Sequence, residues 1–359
     1  MITVRELRRA LMMSLVIASL SLLACQLGTG GSEGNFTFSD QTPDLEVDLR
    51  NEVDKSIAAG GRLKLQVKDS AGKAVSIAQA ASDDEAVLKV VSTGEGVVVV
   101  EGVAPGAAEL TVTDDFGTSD RIELDVAAIA STKVHVLPWT PLLALPERLF
   151  EGGFAILPDA PVEIFAEHRD ASGQALGGFD AQPWSLSEGA SASITERDAS
   201  DFATLKAGPT PEAFSLLRGE LALPFETVTE DTPKALQLYS QSQDVGPSGP
   251  DATLEIEAGR AHFMHVAAFL EDGRYLVGSG STPIEITIGD DAVGILELGA
   301  TPQSAAEEIE DDEQADDLAR ILANGRAFVL SAQNTGESTV TISWLGQSET
   351  FPVRVVAAP

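Results

Sequence analysis

Apolar and polar residues alternate along most of the chain. Leu63, Leu65 and Val67 are separated by polar residues, and so are Ile122, Leu124 and Val126. The same pattern returns at Val162, Ile164 and Ala166, at Leu254, Ile256 and Ala258, at Ile284, Ile286 and Ile288, and at Val340, Ile342 and Trp344. Side chains of a strand point to opposite faces in turn, so this alternation predicts strands with one face on a core and one in water. Val97-Val98-Val99-Val100 is continuous instead, which predicts a strand covered on both faces. Turn residues punctuate these segments at short intervals, as in stacked sheets.

One turn recurs. Asp69-Ser70-Ala71-Gly72-Lys73-Ala74-Val75 matches Asp170-Ala171-Ser172-Gly173-Gln174-Ala175-Leu176, and Glu271-Asp272-Gly273-Arg274-Tyr275-Leu276 is a looser third copy. Each copy follows an alternating strand, with a glycine to supply the positive φ of a tight turn. The glycines fall about 100 residues apart, the length of one immunoglobulin-like sandwich. The second half of the unit recurs too, as Val103–Val112 and as Asn334–Ile342. Each is followed by a glycine turn (Gly117, Gly346) and a final strand.

Glu101-Gly102-Val103-Ala104-Pro105-Gly106, followed by a Thr-Val strand, resembles the group 2 type of bacterial Ig-like domain. Ser82-Asp83-Asp84-Glu85-Ala86-Val87 and Trp184-Ser185-Leu186-Ser187 resemble that family's middle segment. The resemblance is clearest over residues 45–128, weaker over 234–357 and weakest over 129–233. It implies an all-β chain of tandem sandwiches: 45–128, a divergent 129–233, and 234–359.

The last unit contains an interruption at 301–324. Thr301 suits an N-cap, Pro302 the first helical position, and Asn324-Gly325 a stop. Ile309, Leu318, Ile321 and Leu322 give a modest apolar stripe, so a short acidic helical insertion is expected. The acidic run from Glu307 to Glu313 repels itself at helical spacing, so a solvated acidic loop stays open as the alternative.

The N-terminus reads differently. Arg5, Arg8 and Arg9 precede an apolar run, Ala10 to Leu23. At about 14 residues the run is short of the roughly 20 that a membrane span needs, and its flanks are those of a secretory signal peptide. Leu22-Leu23-Ala24-Cys25 resembles the lipobox of bacterial lipoproteins. The resemblance implies that residues 1–24 are removed and Cys25 carries lipid. Cys25 is the one cysteine of the chain, so no internal disulfide can form, and lipidation would consume an otherwise oxidisable thiol. Gln26 stands where Asp would signal inner-membrane retention, which by the same resemblance implies the outer membrane. Residues 25–44, rich in Gly and Ser at first, read as a flexible tether.

Charge narrows the partners. A formal net charge of −33 argues against nucleic acid and against anionic lipid bound through the protein surface. The expected partners are the membrane, through the anchor, and a protein or a carbohydrate.

No catalytic, cofactor or metal site is expected. His135, His168, His262 and His265 lack ligand spacing, and no dinucleotide or phosphate-loop glycine pattern occurs. Gly278-Ser279-Gly280-Ser281 reads as a hairpin loop rather than a nucleophile elbow. Asp114-Asp115 and Asp290-Asp291 are turn carboxylates that could meet calcium, without the spacing of a calcium loop. The leading expectation is a non-catalytic envelope lipoprotein whose sandwiches act as spacers or interaction modules. An adhesin is the alternative, favoured if Trp139, Phe179 and Trp184 form an exposed cluster. An enzyme with a divergent site stands third.

Overall fold

The computed structural model describes residues 34–42, 53–136, 153–240, 253–278, 283–289, 296–298 and 326–358. The described residues form strands and turns without a helix, and no helix among them is long and apolar enough to cross a membrane. The lipobox, Cys25, Trp139, Asp290-Asp291, Ser279 to Ser281 and the expected helix over 301–324 all lie outside them.

The first module holds β1 (Phe36–Asp40), β2 (Ile57–Ala58), β3 (Arg62–Asp69), β4 (Ile77–Ser82), β5 (Leu88–Gly94), β6 (Val97–Gly102), β7 (Gly106–Asp114) and β8 (Ser119–Ala127). They form two sheets, ordered β1-β3-β6-β5 and β2-β8-β7-β4. The apolar positions of both sheets meet in one core that includes Leu63, Leu65, Val67, Leu110, Ile122 and Leu124. β1 corrects the expected tether: Phe36 and Phe38 are buried, and Phe36–Asp40 pairs antiparallel with β3. Two aromatics at period two have more to gain in the core than in a linker. Val97–Val100 also differs from expectation. Only Val98 and Val100 are fully buried, because a sandwich strand has one neighbouring sheet, not two.

The second module holds β9 (Ser131–Val136), β10 (Phe154–Ile156), β11 (Pro161–Arg169), β12 (Trp184–Leu186), β13 (Ser193–Glu196), β14 (Phe202–Lys206), β15 (Ala213–Arg218) and β16 (Leu221–Thr227). The third holds β17 (Ala235–Ser240), β18 (Leu254–Glu257), β19 (Ala261–Phe269), β20 (Tyr275–Val277), β21 (Glu285–Ile288), β22 (Leu296–Leu298), β23 (Ala327–Ala332), β24 (Gly336–Trp344) and β25 (Gln347–Val356). The strand order of the first module returns in both: β9-β11-β14-β13 with β10-β16-β15-β12, then β17-β19-β23-β22 with β18-β25-β24-β21. In each module the short second strand runs parallel to the last strand, and the other pairs within these sheets are antiparallel. Two packed sheets in this order make an immunoglobulin-like sandwich. β20 is the addition, and it leads to the joints.

The repeated turn is one structure in all three modules. Asp69, Asp170 and Leu270 each accept the amide of the glycine three residues on, and each donates to the carbonyl four residues on. Asp69 Oδ1 and Asp170 Oδ1 also accept two further turn amides, at i+2 and i+4. The third copy begins at Leu270, so its carboxylate is displaced to Asp272, which accepts from Arg274.

Candidate functional site

The segment that follows each repeated turn has two fates. In the first module it stays at home, with Ser76 bridged to Glu95. In the second and third it leaves its own sandwich and pairs with the module before it.

At the first joint, Gly177 pairs parallel with Ile57 of β2, and Phe179 pairs antiparallel with Arg62. Four backbone hydrogen bonds result: Ala58 N to Gly177 O (3.0 Å), Gly177 N to Ser56 O (2.8 Å), and 2.8 Å bonds exchanged by Arg62 and Phe179. The second joint uses the same positions. β20 pairs parallel with β10 over Phe154–Tyr275, Ala155–Leu276 and Ile156–Val277, while β10 pairs with β16 on its other edge. One nine-stranded sheet therefore runs through modules two and three. Their hydrophobic core is also continuous, whereas the first module keeps its own.

Glycine makes the approach possible. Five residues past each turn glycine stand Gly178 and Gly278, at φ +101° and +76°. A Cβ on Gly178 would lie 2.9 Å from the Arg62 carbonyl oxygen, and one on Gly278 would lie 3.0 Å from that of Pro161. Both obstacles are backbone of the preceding module and cannot swing aside. The matching position in the first module is Ile77. The sequence carries this signal as a glycine five residues beyond the turn glycine in the second and third copies and an isoleucine in the first.

Behind each docking segment lies a buried charged residue at one fold position, the residue before the sixth strand of the module. In module two it is Asp201, whose carboxylate accepts the Asp180 amide (3.2 Å) and binds the Arg218 guanidinium. Arg218 lies over the Trp184 ring at 4.4 Å. His168 sits beside them, with Nε2 3.7 Å from Asp201 and Nδ1 2.9 Å from the Thr132 hydroxyl. Burial pushes the Asp201 carboxyl up to about 6, with Arg218 pulling it back down. Burial holds His168 down at about 4, and the Arg218 charge adds to the effect.

In module three the residue is Arg326. It donates to the carbonyls of Leu276 and Gly278, and to the Tyr275 hydroxyl at 3.5 Å. Its guanidinium lies 4.7 Å from the Trp344 ring centre. No carboxylate among the described residues pairs with it; carbonyl dipoles and a ring face hold the charge instead. His265 Nε2 meets the same Tyr275 hydroxyl at 2.9 Å, and burial, with Arg326 adding to it, lowers this His to about 3.

These contacts place the sequence candidates. His135 bonds Glu167, and His262 bonds the Glu257 carbonyl. The four histidines thus have separate partners in separate places. Asp114 Oδ1 is occupied by the Phe116 and Thr118 amides, and Asp115 Oδ2 by the Ser76 hydroxyl. Among the described residues no group of three or more potential ligands is placed to hold a metal ion. The exposed cluster that would favour an adhesin is not formed by two of its three members: Phe179 is 4% exposed, wedged at the first joint, and Trp184 is 8% exposed under Arg218.

No protein-family model matches the chain, and no curated protein matches it. Among solved structures, domains 4–9 of the surface layer protein SbsC match with a TM-score of 0.30 at 13% identity, over 91% of this chain and 48% of that one. The chain thus spans about half the length of that fragment. FdeC, an Escherichia coli adhesin, matches with a TM-score of 0.24 at 14% identity, over 92% of this chain and 99% of that one. Invasin, a bacterial integrin-binding protein, matches with a TM-score of 0.23 at 11% identity, over 90% and 60%. Likeness at these TM-scores carries no argument about the chain, whose architecture rests on its own sheets.

Proposed function

We propose that the chain is a non-catalytic lipoprotein of the bacterial cell envelope, anchored through Cys25, whose three sandwiches act as a stiffened spacer and interaction stalk. The observation that carries this reading is the pair of strand-to-strand joints. Flexible linkers leave modules free to reorient, and domain interfaces within a chain are small by default. Here each joint is cross-linked by backbone hydrogen bonds, and the second is continuous with the core of both its modules. Rigid serial modules suit a task of holding a surface at a set distance from a membrane. The lipobox supplies the membrane, and two or more acyl chains on one residue anchor firmly. The outer membrane as destination rests on Gln26.

Two measurements test it. Cys25→Ser should move the protein from the membrane to the soluble fraction; unchanged partition into detergent would end the lipoprotein reading. Nitroxide labels at Lys73 and Gln347, on a Cys25→Ser background, should give one narrow distance distribution by electron spin resonance. A broad one would show that the modules reorient and would remove the spacer.

A further inference from the structure

The first module carries a side chain its fold does not explain. Phe116 is 93% exposed, at the tip of the β7–β8 hairpin. The matching hairpins are shorter and expose no large apolar side chain. Arg218 pairs with Leu221 across Gly219-Glu220, and Trp344 pairs with Gln347 across Leu345-Gly346, where Leu345 is buried. In the first module the strands part at Thr113–Ser119, so the hairpin reaches further out. In modules two and three this end docks on the module before. In the first module nothing among the described residues covers it.

The path of the chain says what lies there. β1 starts at this end: Phe36 pairs with Asp69 of the repeated turn, the Asn35 side chain bonds the Ser119 carbonyl (2.8 Å), and the Phe36 amide bonds Asp120 (2.7 Å). The second module joins at the opposite end, at Ile57 and Arg62. From Cys25 to Gly34 the chain can span at most ~32 Å. A lipid on Cys25 therefore keeps this end of the module within that distance of the bilayer.

From this placement we infer that the Phe116 hairpin is a membrane-contact site, seating its ring in the interface of a zwitterionic lipid surface beside the anchor. The inference rests on the anchoring proposed above. A Phe side chain at a bilayer surface sinks into the headgroup/acyl boundary, and a fully buried Phe favours the docked state about tenfold. The neighbouring charges choose the lipid. Asp69, Glu95, Asp114 and Asp115 outnumber Lys68 and Lys73 at this end, so anionic headgroups are repelled. Head-to-tail stacking of a second copy is disfavoured by Ile77, which stands where docked modules carry glycine.

The test uses lipidated full-length protein reconstituted into zwitterionic vesicles. Once Cys25 is acylated, Thr118→Cys, on the same exposed hairpin with Phe116 in place, supplies the one free thiol, which takes a nitroxide; Glu188→Cys, exposed on module two, is the reference. Flotation with vesicles is read first. A chain that does not float overturns the anchoring and this inference together. For a floating chain, the label at 118 should be shielded from an aqueous paramagnetic chelate and open to lipid-soluble oxygen, unlike the label at 188. Equal aqueous access at both positions overturns the inference and leaves the anchor standing. A second label, at Lys73, should lose about tenfold of its docked population when Phe116→Glu is added, and again when anionic lipid is mixed in. Shielding that appears in native membranes and is missing from pure lipid marks a protein partner and overturns the assignment to lipid, as does shielding that grows with protein concentration.

Discussion

The two joints use the same strand positions and differ in what stands behind them. At the first, the docking segment is Gly177 to Phe179, held by four backbone bonds and by the exposed charge pair of Arg62 with Asp180 at 3.7 Å. Its internal support is an ion pair, Asp201 with Arg218. At the second, the docking segment has become a strand inside a shared sheet, and its internal support is Arg326 on two carbonyls. A stitched joint between separate cores can open while both modules stay folded. A fused one can open only by exposing core. The difference teaches that a single repeat can give modules of unequal independence, set by how many residues the docking segment commits.

The buried cations test that contrast most strongly. Arg218→Met strands Asp201 in the core and should lower unfolding stability by about 3–5 kcal/mol. Adding Asp201→Asn should recover much of the loss, as read by urea denaturation. Arg326→Met leaves two carbonyls unpaired and should cost roughly 1–3 kcal/mol for each. No carboxylate substitution among the described residues should rescue it. Rescue in the third module, or none in the second, would erase the distinction.

The joint glycines separate opening from unfolding. Gly178→Ala and Gly278→Ala each place a Cβ against backbone at a positive φ, at a cost of about 2 kcal/mol. Gly178→Ala should free the first module, so calorimetry shows a new separate transition with the main one unmoved. Gly278→Ala should lower the main transition itself. The same behaviour from both would mean the joints are equivalent.

Acid should destabilise the fused second and third modules chiefly through the third. His265, held near 3, and His168, held near 4, both lie below the ordinary value of 6.5. The unfolded chain takes up these protons first, so their stabilisation is complete above about pH 6.5 and is lost as pH falls toward the folded values. Asp201 has the opposite sign. Its carboxyl is raised to about 6, so its contribution declines as pH rises from its ordinary 3.8 through that window. In module two the two slopes oppose each other between pH 4 and 6. In module three the His265 slope, about 1.4 kcal/mol per pH unit, stands uncompensated. Unfolding followed at pH 7, 6 and 5 should show the slope shrink in His265→Gln and change little in a His168→Gln/Asp201→Asn pair.

The smallest effect concerns the turns. Asp170→Ala removes the carboxylate that accepts two turn amides and should lower the melting temperature slightly. Asp272→Ala, in the displaced third copy, should cost less, since Asp272 is exposed and accepts one turn amide where Asp170 accepts two. Equal losses in thermal melts would show that the displacement has no energetic meaning.

Leu63, Leu65 and Val67, or Val340, Ile342 and Trp344, could be placed on a buried face from spacing alone. The turn at Gly173 was legible because its φ and its caps lie within five residues. Phe36 and Phe38 follow a Gly- and Ser-rich segment that reads as a tether, so their burial is not legible locally. The burial of Trp184 and Phe179 is not legible either, since composition does not say which face a residue meets.

By itself, then, the sequence determined the strands, the repeated turn and the length of the repeat, because these depend on φ preferences and side-chain alternation within a few residues. The tertiary structure decided the joints: that Gly177 leaves its sandwich for Ile57, that Tyr275 to Val277 joins Phe154 to Ile156, and that Arg326 stands beneath Gly278. Those partners lie one module apart in the chain. Their pairing is selected by the packing of two finished sandwiches, where backbone can approach backbone only across a residue without a Cβ.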